Sequence, residues 1–283
     1  MPERWGSVPV PRSWLDDRAA DAAARRLTPA LTAAGPLCFC PMDQTFHPYQ
    51  KSVEDWHFWY VVRRQILALM LDELRLLPGA RLLDIGCGTG GSAQVLARYG
   101  EAIGLDRERR SFRIAMDRPY RHRVQSGAET LPFADACFDA VVALDVLEHL
   151  DDDLGAAREL RRVLKPGGAA VIFVPALSIL WGHNDVVSHH RRRYTRKSLE
   201  AVLTAAGFRL SRLGYFNLLL FLPTLAVRLL DRLLPKVSNR IEYQPHPSPL
   251  NGLLTRIFGL EVELLRQTAL PIGTSVCCLA HKD

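Results

Sequence analysis

The stretch "LLDIGCGTGG", residues 82–91, decides the fold because a run of apolar residues stops abruptly in closely spaced glycines. Where a parallel strand ends at the carboxyl edge of a sheet, glycines let the backbone approach a ligand, and the next helix points its N-terminus at that ligand. Gly86, Gly88 and Gly91 also fit the pattern G-x-G-x-x-G, and Asp106 follows at a spacing that suits a ribose contact. The stretch therefore predicts a nucleotide-binding turn.

Asp84 helps to distinguish a dinucleotide from a ligand that carries an ammonium group. It lies in the strand just before the glycines, where a dinucleotide-binding turn normally has an apolar residue. A carboxylate there would repel a pyrophosphate but could face the ammonium group of a ligand. A nicotinamide-dependent oxidoreductase therefore remains only the less favoured alternative.

Composition indicates one globular domain with additional segments. The chain has 283 residues, of which 48% are hydrophobic and 23% charged. Much of the net charge of +6 lies in "HHRRRYTRK", residues 189–197, which favours an anionic substrate or a membrane surface over nucleic acid. The six cysteines show no disulfide-framework spacing and no signal-peptide pattern is present, so we expect a cytoplasmic protein without a nucleic-acid partner.

Apolar periodicity predicts the order of the elements. A helix is expected over 53–77, ending before Pro78 and Gly79. The strands "RLLDIGC", "EAIGLD", a short one near Val124, "FDAVVALD" and, after the turn "KPGG", "AAVIFVP" then alternate with helical patterns. This alternation is typical of a doubly wound α/β fold with a parallel sheet. Beyond it come the helix "TRKSLEAVLTAAG", the strand "FRLSRLGYF", the apolar segment 217–234, the helix "LLTRIFGLEVELLRQ" and the strand "GTSVCCLAHK".

Residues 81–175 resemble the core of the class I S-adenosylmethionine-dependent methyltransferases. The motifs that carry the resemblance are "LLDIGCGTG", "GLD", "AETLPFADACFDAVVALDVLEHL" and "ARELRRVLKPGGAAVIFVP". The resemblance implies a Rossmann-like seven-stranded sheet, S-adenosylmethionine as cofactor and S-adenosylhomocysteine as product. It divides the chain into a partly irregular N-terminal arm, 1–52, and a methyltransferase domain, 53–283. Within that domain we expect a cofactor-binding core over 78–176, an acceptor-side loop and helical insertion over 177–270, and a final strand over 272–282.

The resemblance also implies a cofactor site. Asp84 and the backbone at Gly86 and Gly88 would hold the methionine moiety, and Asp106 would accept both ribose hydroxyls. The full set is Asp84, Gly86, Cys87, Gly88, Gly90, Asp106, Arg107, Gly127, Ala128, Glu129, Leu144, Asp145 and Val146. Relatives usually have an aspartate for the adenine amino group where Gly127 stands, so Glu129 or backbone carbonyls would have to replace it.

Outside the core, the chain is similar to a bacterial subgroup often associated with glycosyltransferase and with cell-surface or secondary-metabolite genes. The similar segments are "WHFWYVVRRQIL", "LWGHNDVVSHHRRRYTRKSLEAVLTAAGF" and "YFNLLLFLP", with Asn184 where that subgroup usually has a histidine. The predicted acceptor-binding residues are Trp59, Tyr60, Arg64, Trp181, Arg192, Arg193, Tyr194, Tyr215 and Asn217. The alternatives are that aromatic residues among Trp56, Phe58, Trp59 and Tyr60 pack in the core and that Arg191, Arg192 and Arg193 form salt bridges to the edge of the sheet.

Methyl transfer needs an aligned nucleophile and, for a hydroxyl or protonated amine, a group that removes a proton. The candidates for that group are His149, Asp185, His189 and His190. The alternatives are that His149 orients its loop and that the histidine and arginine run is a solvated face. A zinc set of His183, Asp185, His189 and His190 has suitable ligand types but no standard spacing, so no metal site is predicted.

We therefore expect methyl transfer to an oxygen or nitrogen of a small-molecule acceptor that is anionic, sugar-containing or lipid-linked. The alternatives are a non-catalytic cofactor-binding partner and an enzyme of the same fold that catalyses a cyclisation or rearrangement. The apolar run within 217–234 is too short to span a bilayer, which leaves a lid or a peripheral membrane contact.

Overall fold

The computed structural model describes residues 11, 14–15, 46–114, 116–233 and 248–283. Most of the predicted arm 1–52 lies outside the described residues. The helices are α1 Phe46–Val53, α2 Phe58–Glu73, α3 Ala93–Leu96, α4 Arg109–Ile114, α5 Asp153–Val163, α6 His183–Val187, α7 Arg196–Ala205, α8 Phe221–Leu233 and α9 Ser248–Gln267. The strands are β1 Arg81–Ile85, β2 Glu101–Asp106, β3 His122–Gln125, β4 Phe138–Leu144, β5 Leu164–Pro175, β6 Arg209–Phe216 and β7 Ser275–His281.

The seven strands form one sheet in the order β3-β2-β1-β4-β5-β7-β6. Strands β1 to β5 pair in parallel, and β7 runs antiparallel to both β5 and β6. The predicted doubly wound seven-stranded sheet is confirmed. Because β1 pairs with β2 on one side and β4 on the other, the chain changes winding direction there. Ligands bind at such a switch point, outside the carboxyl ends of the strands.

Two apolar layers cover the faces of the sheet. Alternate side chains of β1 serve different layers, with Leu83 in one and Leu82 in the other, and both are fully buried. Leu160 of α5 lies in the first layer, and Met70 of α2 and Phe258 of α9 lie in the second. Burying each such side chain stabilises the fold by about 1.5–3 kcal/mol. Burial on both faces explains why the central strands read as continuous apolar runs.

The predicted helix over 53–77 is wrong in its boundaries. The structure has two helices, because the chain leaves the helical path at residues 54–57 and α2 ends at Glu73. The Arg64 guanidinium donates to the Glu54 carbonyl over 2.5 Å, and the Asn251 amide of α9 donates to the Trp56 carbonyl over 2.8 Å. The Phe58 amide donates to the Asn251 side chain over 2.8 Å. Tertiary polar contacts thus hold a break that helical periodicity does not reveal.

Two further boundaries differ from the prediction. Strand β5 begins at Leu164, so the predicted turn "KPGG" lies within the strand as an irregularity, where the register to β4 shifts. The predicted helix near the C-terminus, α9, begins at Ser248, earlier than its apolar pattern suggested.

Part of the N-terminal segment packs on the domain. Trp14 is buried in the first apolar layer, and its carbonyl accepts the Ala134 amide over 3.0 Å. The Arg81 guanidinium lies 4.1 Å from the centroid of the Trp14 ring. The described residues of the predicted arm therefore belong to the folded domain.

None of the described helices combines the length and the apolar character needed to cross a membrane. Arg228 lies within α8 and breaks its run of apolar residues. Its buried side chain donates to the Leu180 carbonyl over 3.2 Å. This contact fastens α8 to the segment that follows β5.

Gly100 tests the close packing between β1 and β2. An added Cβ at Gly100 would overlap the Ala80 carbonyl and lie 2.8 Å from Leu82 Cδ1. We expect Gly100→Ala to lower the free energy of unfolding in urea by about 1–3 kcal/mol. The matched control is Gly252→Ala, in α9, where an added Cβ meets nothing within 4 Å. There we expect a gain of about 0.5–1 kcal/mol from helix propensity. Equal effects of the two substitutions would contradict the packing described.

Candidate active site

The glycine loop follows β1 at the switch point of the sheet. Gly86, Gly88 and Gly90 have φ angles of 68°, 49° and 80°, in the left-handed region that favours glycine. An added Cβ would lie 2.7 Å from Val146 Cγ2 at Gly86 and 2.6 Å from Arg118 Cγ at Gly90. At Gly88 it would meet nothing closer than 4.0 Å. Two glycines therefore allow close packing, and Gly88 leaves open space at the edge of the sheet.

Asp84 lies beneath this loop and is only 2% exposed. Its Oδ2 accepts hydrogen bonds from the hydroxyls of Ser92 and Tyr120, the latter over 2.5 Å. Burial raises the pKa of Asp84 to about 6, although the two hydroxyl donors act in the opposite direction, and the Asp106 charge raises it further. Sequence analysis did not identify these two partners, because Ser92 lies beyond the glycine loop and Tyr120 is 36 residues away along the chain.

Asp106 ends β2 and faces the same loop. Its Oδ2 accepts the Gly88 amide over 2.8 Å, and its Oδ1 accepts the Glu108 amide over 2.7 Å. Burial raises the pKa of Asp106 despite these amide donors. Each carboxylate oxygen can accept a second hydrogen bond, so Asp106 retains capacity for two ligand hydroxyls. The structure thus brings Asp106 and the open Gly88, two residues of the predicted cofactor set, together.

The predicted adenine side is formed after β3. Arg107 and Glu129 form an ion pair over 2.9 Å, and both side chains are substantially exposed. A Cβ added at Gly127 would overlap the Glu129 carboxylate. Ala128 and Leu131 are buried. The glycine at 127 therefore leaves space in which the Glu129 side chain lies.

A buried ion pair fixes the glycine loop to the N-terminal helices. Glu54 and Arg118 are both buried, and their side chains pair over 2.5 Å. The Thr89 hydroxyl donates to the second oxygen of Glu54 over 2.5 Å. Sequence reasoning did not identify these residues, since they come from three separate segments. The Cys87 amide donates to the Leu105 carbonyl over 3.0 Å, which connects the same loop to β2.

The end of β4 forms the opposite wall. Asp145 has a φ of 55°, and its carboxylate pairs with Arg63 of α2 over 2.7 Å. Leu144 is half-buried, and Val146 contacts the position of Gly86. The three predicted residues therefore lie beside the glycine loop, and a single 3-10 turn, Leu147–His149, follows them.

A cluster of titratable side chains lies on this turn and on the segment after β5. The rings of His149 and His190 are 4.7 Å apart, edge to face. His190 Nδ1 lies 2.8 Å from Asp185 Oδ1, and Arg193 contacts both oxygens of Asp185 over 2.7 and 3.0 Å. Burial opposes the charge of Asp185, but the hydrogen bonds from His190 and Arg193 outweigh it and lower its pKa to about 2. Three of the four predicted catalytic residues therefore lie together.

His149 is enclosed by this cluster. Burial, and then the neighbouring His190, lower the pKa of His149 to about 4. His189, the fourth predicted catalytic residue, is exposed and has a φ of 55°.

Glu148 is the residue of this cluster that sequence reasoning missed. It is 0% exposed, and neither carboxylate oxygen has a hydrogen-bond partner among the described residues. Burial and the nearby Asp145 raise its pKa well above the ordinary value. The available signal was its position next to the candidate His149 in "DVLEHL".

The arginines predicted to bind the acceptor form contacts within the protein. Arg192 pairs with Asp153 over 3.0 Å and donates to the carbonyls of Leu150 and Asp151. Arg193 holds Asp185. The Tyr194 hydroxyl donates to Asp153 over 2.6 Å, and its ring lies in the core. The salt-bridge alternative thus describes both arginines.

The other predicted acceptor residues lie in two places. Trp59 and Tyr60 of α2 lie near the end of β4, where Arg63 is 5.8 Å from the Trp59 ring and burial raises the pKa of Tyr60 to about 12. Arg64 instead caps the break between α1 and α2. The remaining residues follow β5 or end β6 and comprise half-buried Trp181 and buried Tyr215 and Asn217. The Asn217 Nδ2 atom has no hydrogen-bond partner among the described residues.

Two protein-family profiles match the chain. The profile described as "Methyltransferase domain" matches residues 83–172. The profile of protein-L-isoaspartate(D-aspartate) O-methyltransferase matches residues 27–125. The first range runs from β1 through most of β5 and so contains the glycine loop, Asp106 and the turn with Glu148.

Curated relatives match over the same core. A 27-O-demethylrifamycin SV methyltransferase of Amycolatopsis mediterranei is 38% identical over 104 residues, 34% of this chain and 38% of the relative. The mitochondrial ubiquinone biosynthesis O-methyltransferase of Rattus norvegicus is 37% identical over 111 residues, 36% and 32% of the two chains. A sterol 24-C-methyltransferase of Aspergillus fumigatus is 31% identical over 164 residues, 55% and 40%. The chain thus spans less than half the length of these relatives.

Solved structures share the fold over more of the chain. A chain of a complex containing the Haloferax volcanii Trm112 methyltransferase activator aligns with a TM-score of 0.56 and 16% identity, covering 84% of this chain and 94% of that one. The cyclase SpnF aligns with a TM-score of 0.50 and 24% identity, covering 77% and 80%. The strand order with an antiparallel β7 is typical of the class I methyltransferase fold, and residues 83–172 match the methyltransferase-domain profile, a family that implies S-adenosylmethionine as the cofactor.

Asp84 predicts a pH dependence of stability. Its pKa is raised on folding, so the folded state binds the proton more tightly and stability falls as the pH rises from about 4 to about 6. Asp84→Asn keeps an oxygen acceptor for Ser92 and Tyr120 and removes the charge. We expect the variant to be more stable at pH 7 by about 2–3 kcal/mol and to lose this slope, measured by thermal unfolding between pH 4 and 8.

Asp139→Asn is the control with the opposite sign. Burial opposes the charge of Asp139, but the Arg81 amide and Lys165 outweigh it and lower its pKa. Ionised Asp139 therefore stabilises the fold above the unfolded pKa, and its loss should lower the unfolding temperature at pH 7. A variant of Asp84 with unchanged stability and slope would contradict the buried, ionisable carboxylate described.

Proposed function

We propose that this protein transfers the methyl group of S-adenosylmethionine to an oxygen or nitrogen of a small-molecule acceptor and releases S-adenosylhomocysteine. The observation that carries the proposal is the Asp106 carboxylate, which the Gly88 amide holds beside open space at the switch point of the sheet. The relatives named for rifamycin and ubiquinone O-methylation support the reaction class. A nicotinamide cofactor suits the site less well, because Asp84 lies beneath the same loop.

Each part of the cofactor has a proposed contact. The ribose hydroxyls would donate to the two oxygens of Asp106, and the methionine moiety would lie on the loop at Gly88 with Asp84 beneath it. The adenine would pack against Ala128. The Glu129 carboxylate would accept a hydrogen bond from the adenine amino group, because this carboxylate occupies the space that a side chain at 127 would otherwise fill.

The methyl group of a sulfonium is already electrophilic, so the protein has mainly to align the acceptor and to receive its proton. His149 and His190 follow the carboxyl ends of β4 and β5, on the same edge of the sheet as the glycine loop. A neutral imidazole nitrogen in this pair can accept a proton. Asp185 acts as a positioning residue for His190, since both of its oxygens are hydrogen-bonded to Arg193.

The insertion favours an acceptor with an apolar part. Large apolar side chains of segment 217–234 are exposed; they are Leu219, Leu222, Leu229 and Leu230. The same segment docks on the loop after β5 through Arg228. We propose that it covers an apolar or lipid-linked acceptor, with contact to a membrane surface as the alternative role. The internal pairing of Arg192 and Arg193 gives less support to an anionic acceptor.

The cofactor assignment predicts the effect of one substitution. Asp106→Ala removes two charge-assisted hydrogen bonds to the ribose, each worth about 1.5–3 kcal/mol, so affinity for S-adenosylhomocysteine should fall by at least about 10-fold to 100-fold in equilibrium dialysis. Asp135→Asn, whose exposed side chain pairs with Arg162 at the opposite edge of the sheet, should leave this affinity unchanged. Full affinity in Asp106→Ala would exclude Asp106 as the ribose ligand.

Mass spectrometry of the acceptor tests the reaction itself. Incubation with S-adenosylmethionine and a panel of hydroxylated and amine acceptors should give a product heavier by one methylene unit and an equal amount of S-adenosylhomocysteine. A converted acceptor of unchanged mass would show a cyclisation or rearrangement instead. His190→Ala should lower turnover at least about 100-fold while cofactor affinity stays within about twofold, as general-base contributions do.

A further inference from the structure

The structure places three potential metal ligands together at the carboxyl edge of the sheet. One ligand atom from each of Glu148, His149 and His190 lies within 4.8 Å of the other two. We propose that these side chains bind a divalent cation of the zinc type. The expectation from the sequence was that no metal binds, and the set weighed there contained His190 but neither Glu148 nor His149.

The unpaired carboxylate of Glu148 is the first observation that points to a ligand. The residue is completely buried, and both oxygens lack hydrogen-bond partners among the described residues. Its own backbone amide lies near but outside hydrogen-bond geometry, and His190 Nε2 is 4.0 Å from Oε1. Buried carboxylates normally occur paired or bound to metals, because an isolated one is strongly unfavourable. A cation between Glu148 and the two imidazoles would supply the missing partner.

The outer contacts of the histidines are those of metal ligands. A histidine that binds a metal with one nitrogen almost always directs the other to a carboxylate or a backbone carbonyl. His190 Nδ1 lies 2.8 Å from Asp185, which leaves Nε2 facing Glu148. The backbone of Ser188 lies beside the His149 ring. Asp185 is itself fixed by Arg193, so the orientation of His190 is set before any ligand binds.

Backbone hydrogen bonds hold the turn after β4 and the segment after β5 next to each other. The Arg191 amide donates to the Glu148 carbonyl over 2.7 Å, and the His190 amide donates to the Asp185 carbonyl over 2.8 Å. The left-handed backbone at His189 makes the turn between these contacts. The site therefore lies on a loop that backbone hydrogen bonds hold in place. A shift of less than about 1 Å per side chain would bring the three ligand atoms to the spacing they have around a bound cation.

The ligand set selects the type of cation. Two imidazoles and one carboxylate are the protein ligands of catalytic zinc sites, which keep a further position open, whereas Mg²⁺ prefers oxygen ligands and water. His149 and His190 are half-buried, so the open position faces the accessible side of the cluster. On the proposed function, an acceptor oxygen would occupy that position; with both imidazoles bound to the cation, the cation would lower the pKa of the acceptor hydroxyl and its proton would pass to solvent instead of to a histidine. This last step rests on the proposed function, and cation binding does not.

Two nearby arginines do not fill the role of the cation. Arg63 and Arg193 both lie close enough to influence Glu148. Arg63 pairs with Asp145 over 2.7 Å, and Arg193 pairs with Asp185. Neither forms a hydrogen bond or ion pair with Glu148 among the described contacts.

The experiment is a titration of the full chain, dialysed against a chelator, with ZnCl₂, CoCl₂ and MgCl₂ by calorimetry, without cofactor or acceptor. We expect one Zn²⁺ per chain with micromolar or tighter affinity, a Co²⁺ absorption spectrum typical of four- or five-coordinate sites, and much weaker Mg²⁺ binding. Asp185→Asn should weaken Zn²⁺ binding by about 10-fold to 100-fold, and Glu148→Gln and His190→Ala by more than about 100-fold.

The controls separate a metal site from a merely structural cluster. His281→Gln removes an imidazole at the opposite edge of the sheet, next to Ser211, and should leave Zn²⁺ affinity unchanged. Glu148→Gln conserves side-chain volume and removes an unpaired buried charge, so without metal it should unfold at or above the wild-type temperature. With Zn²⁺, only the wild type and His281→Gln should gain thermal stability.

Absence of Zn²⁺ and Co²⁺ binding, or equal binding by wild type and Glu148→Gln, would overturn the proposal. Because the titrations contain no cofactor or acceptor, that result would leave methyl transfer by the protein untouched. Failure of the proposed function would instead appear as loss of S-adenosylmethionine binding in a protein that still binds Zn²⁺.

Discussion

The hydrogen bond from the Gly88 amide to the Asp106 carboxylate connects the two central parts of the site. It joins the loop after β1 to the end of β2, the neighbouring strand. The left-handed glycines let the loop pass close to Val146 and Arg118, and the buried pair of Glu54 and Arg118 holds it from the other side. On the proposed function, a cofactor entering at Gly88 would meet a carboxylate that is already oriented, which would reduce the cost of ordering the site on binding.

Buried carboxylates are the second constraint on this edge of the sheet. Asp84 and Glu148 both have raised pKa values because burial disfavours their charged forms. When ionised, these two carboxylates destabilise the folded state, and apolar residues of similar size would pack there without that cost. Natural proteins retain such costs where function requires them. The two carboxylates flank the glycine loop and the β4 turn, so the least favourable electrostatics lie where ligand binding is proposed.

The sheet could be predicted from the sequence because β1, β2 and β4 are largely apolar and each ends at, or one residue before, a glycine or aspartate. The break between α1 and α2 could not, because Arg64 and Asn251 create it through contacts distant in sequence. The role of arginines 191–193 could not be predicted, since arginines that form salt bridges within the protein and arginines that bind an anionic substrate look the same in a sequence. Glu148 stands next to His149 in the sequence, but only the fold brings His190, from the segment after β5, to within 4.0 Å of it.

The most direct test of the account is a parallel calorimetric titration of the protein with S-adenosylmethionine, S-adenosylhomocysteine and NADH. We expect micromolar binding of both sulfur nucleotides and none of NADH, because Asp84 lies beneath the glycine loop and Asp106 faces the proposed ribose position. Binding of NADH without either sulfur nucleotide would contradict it, since the loop would then hold a pyrophosphate.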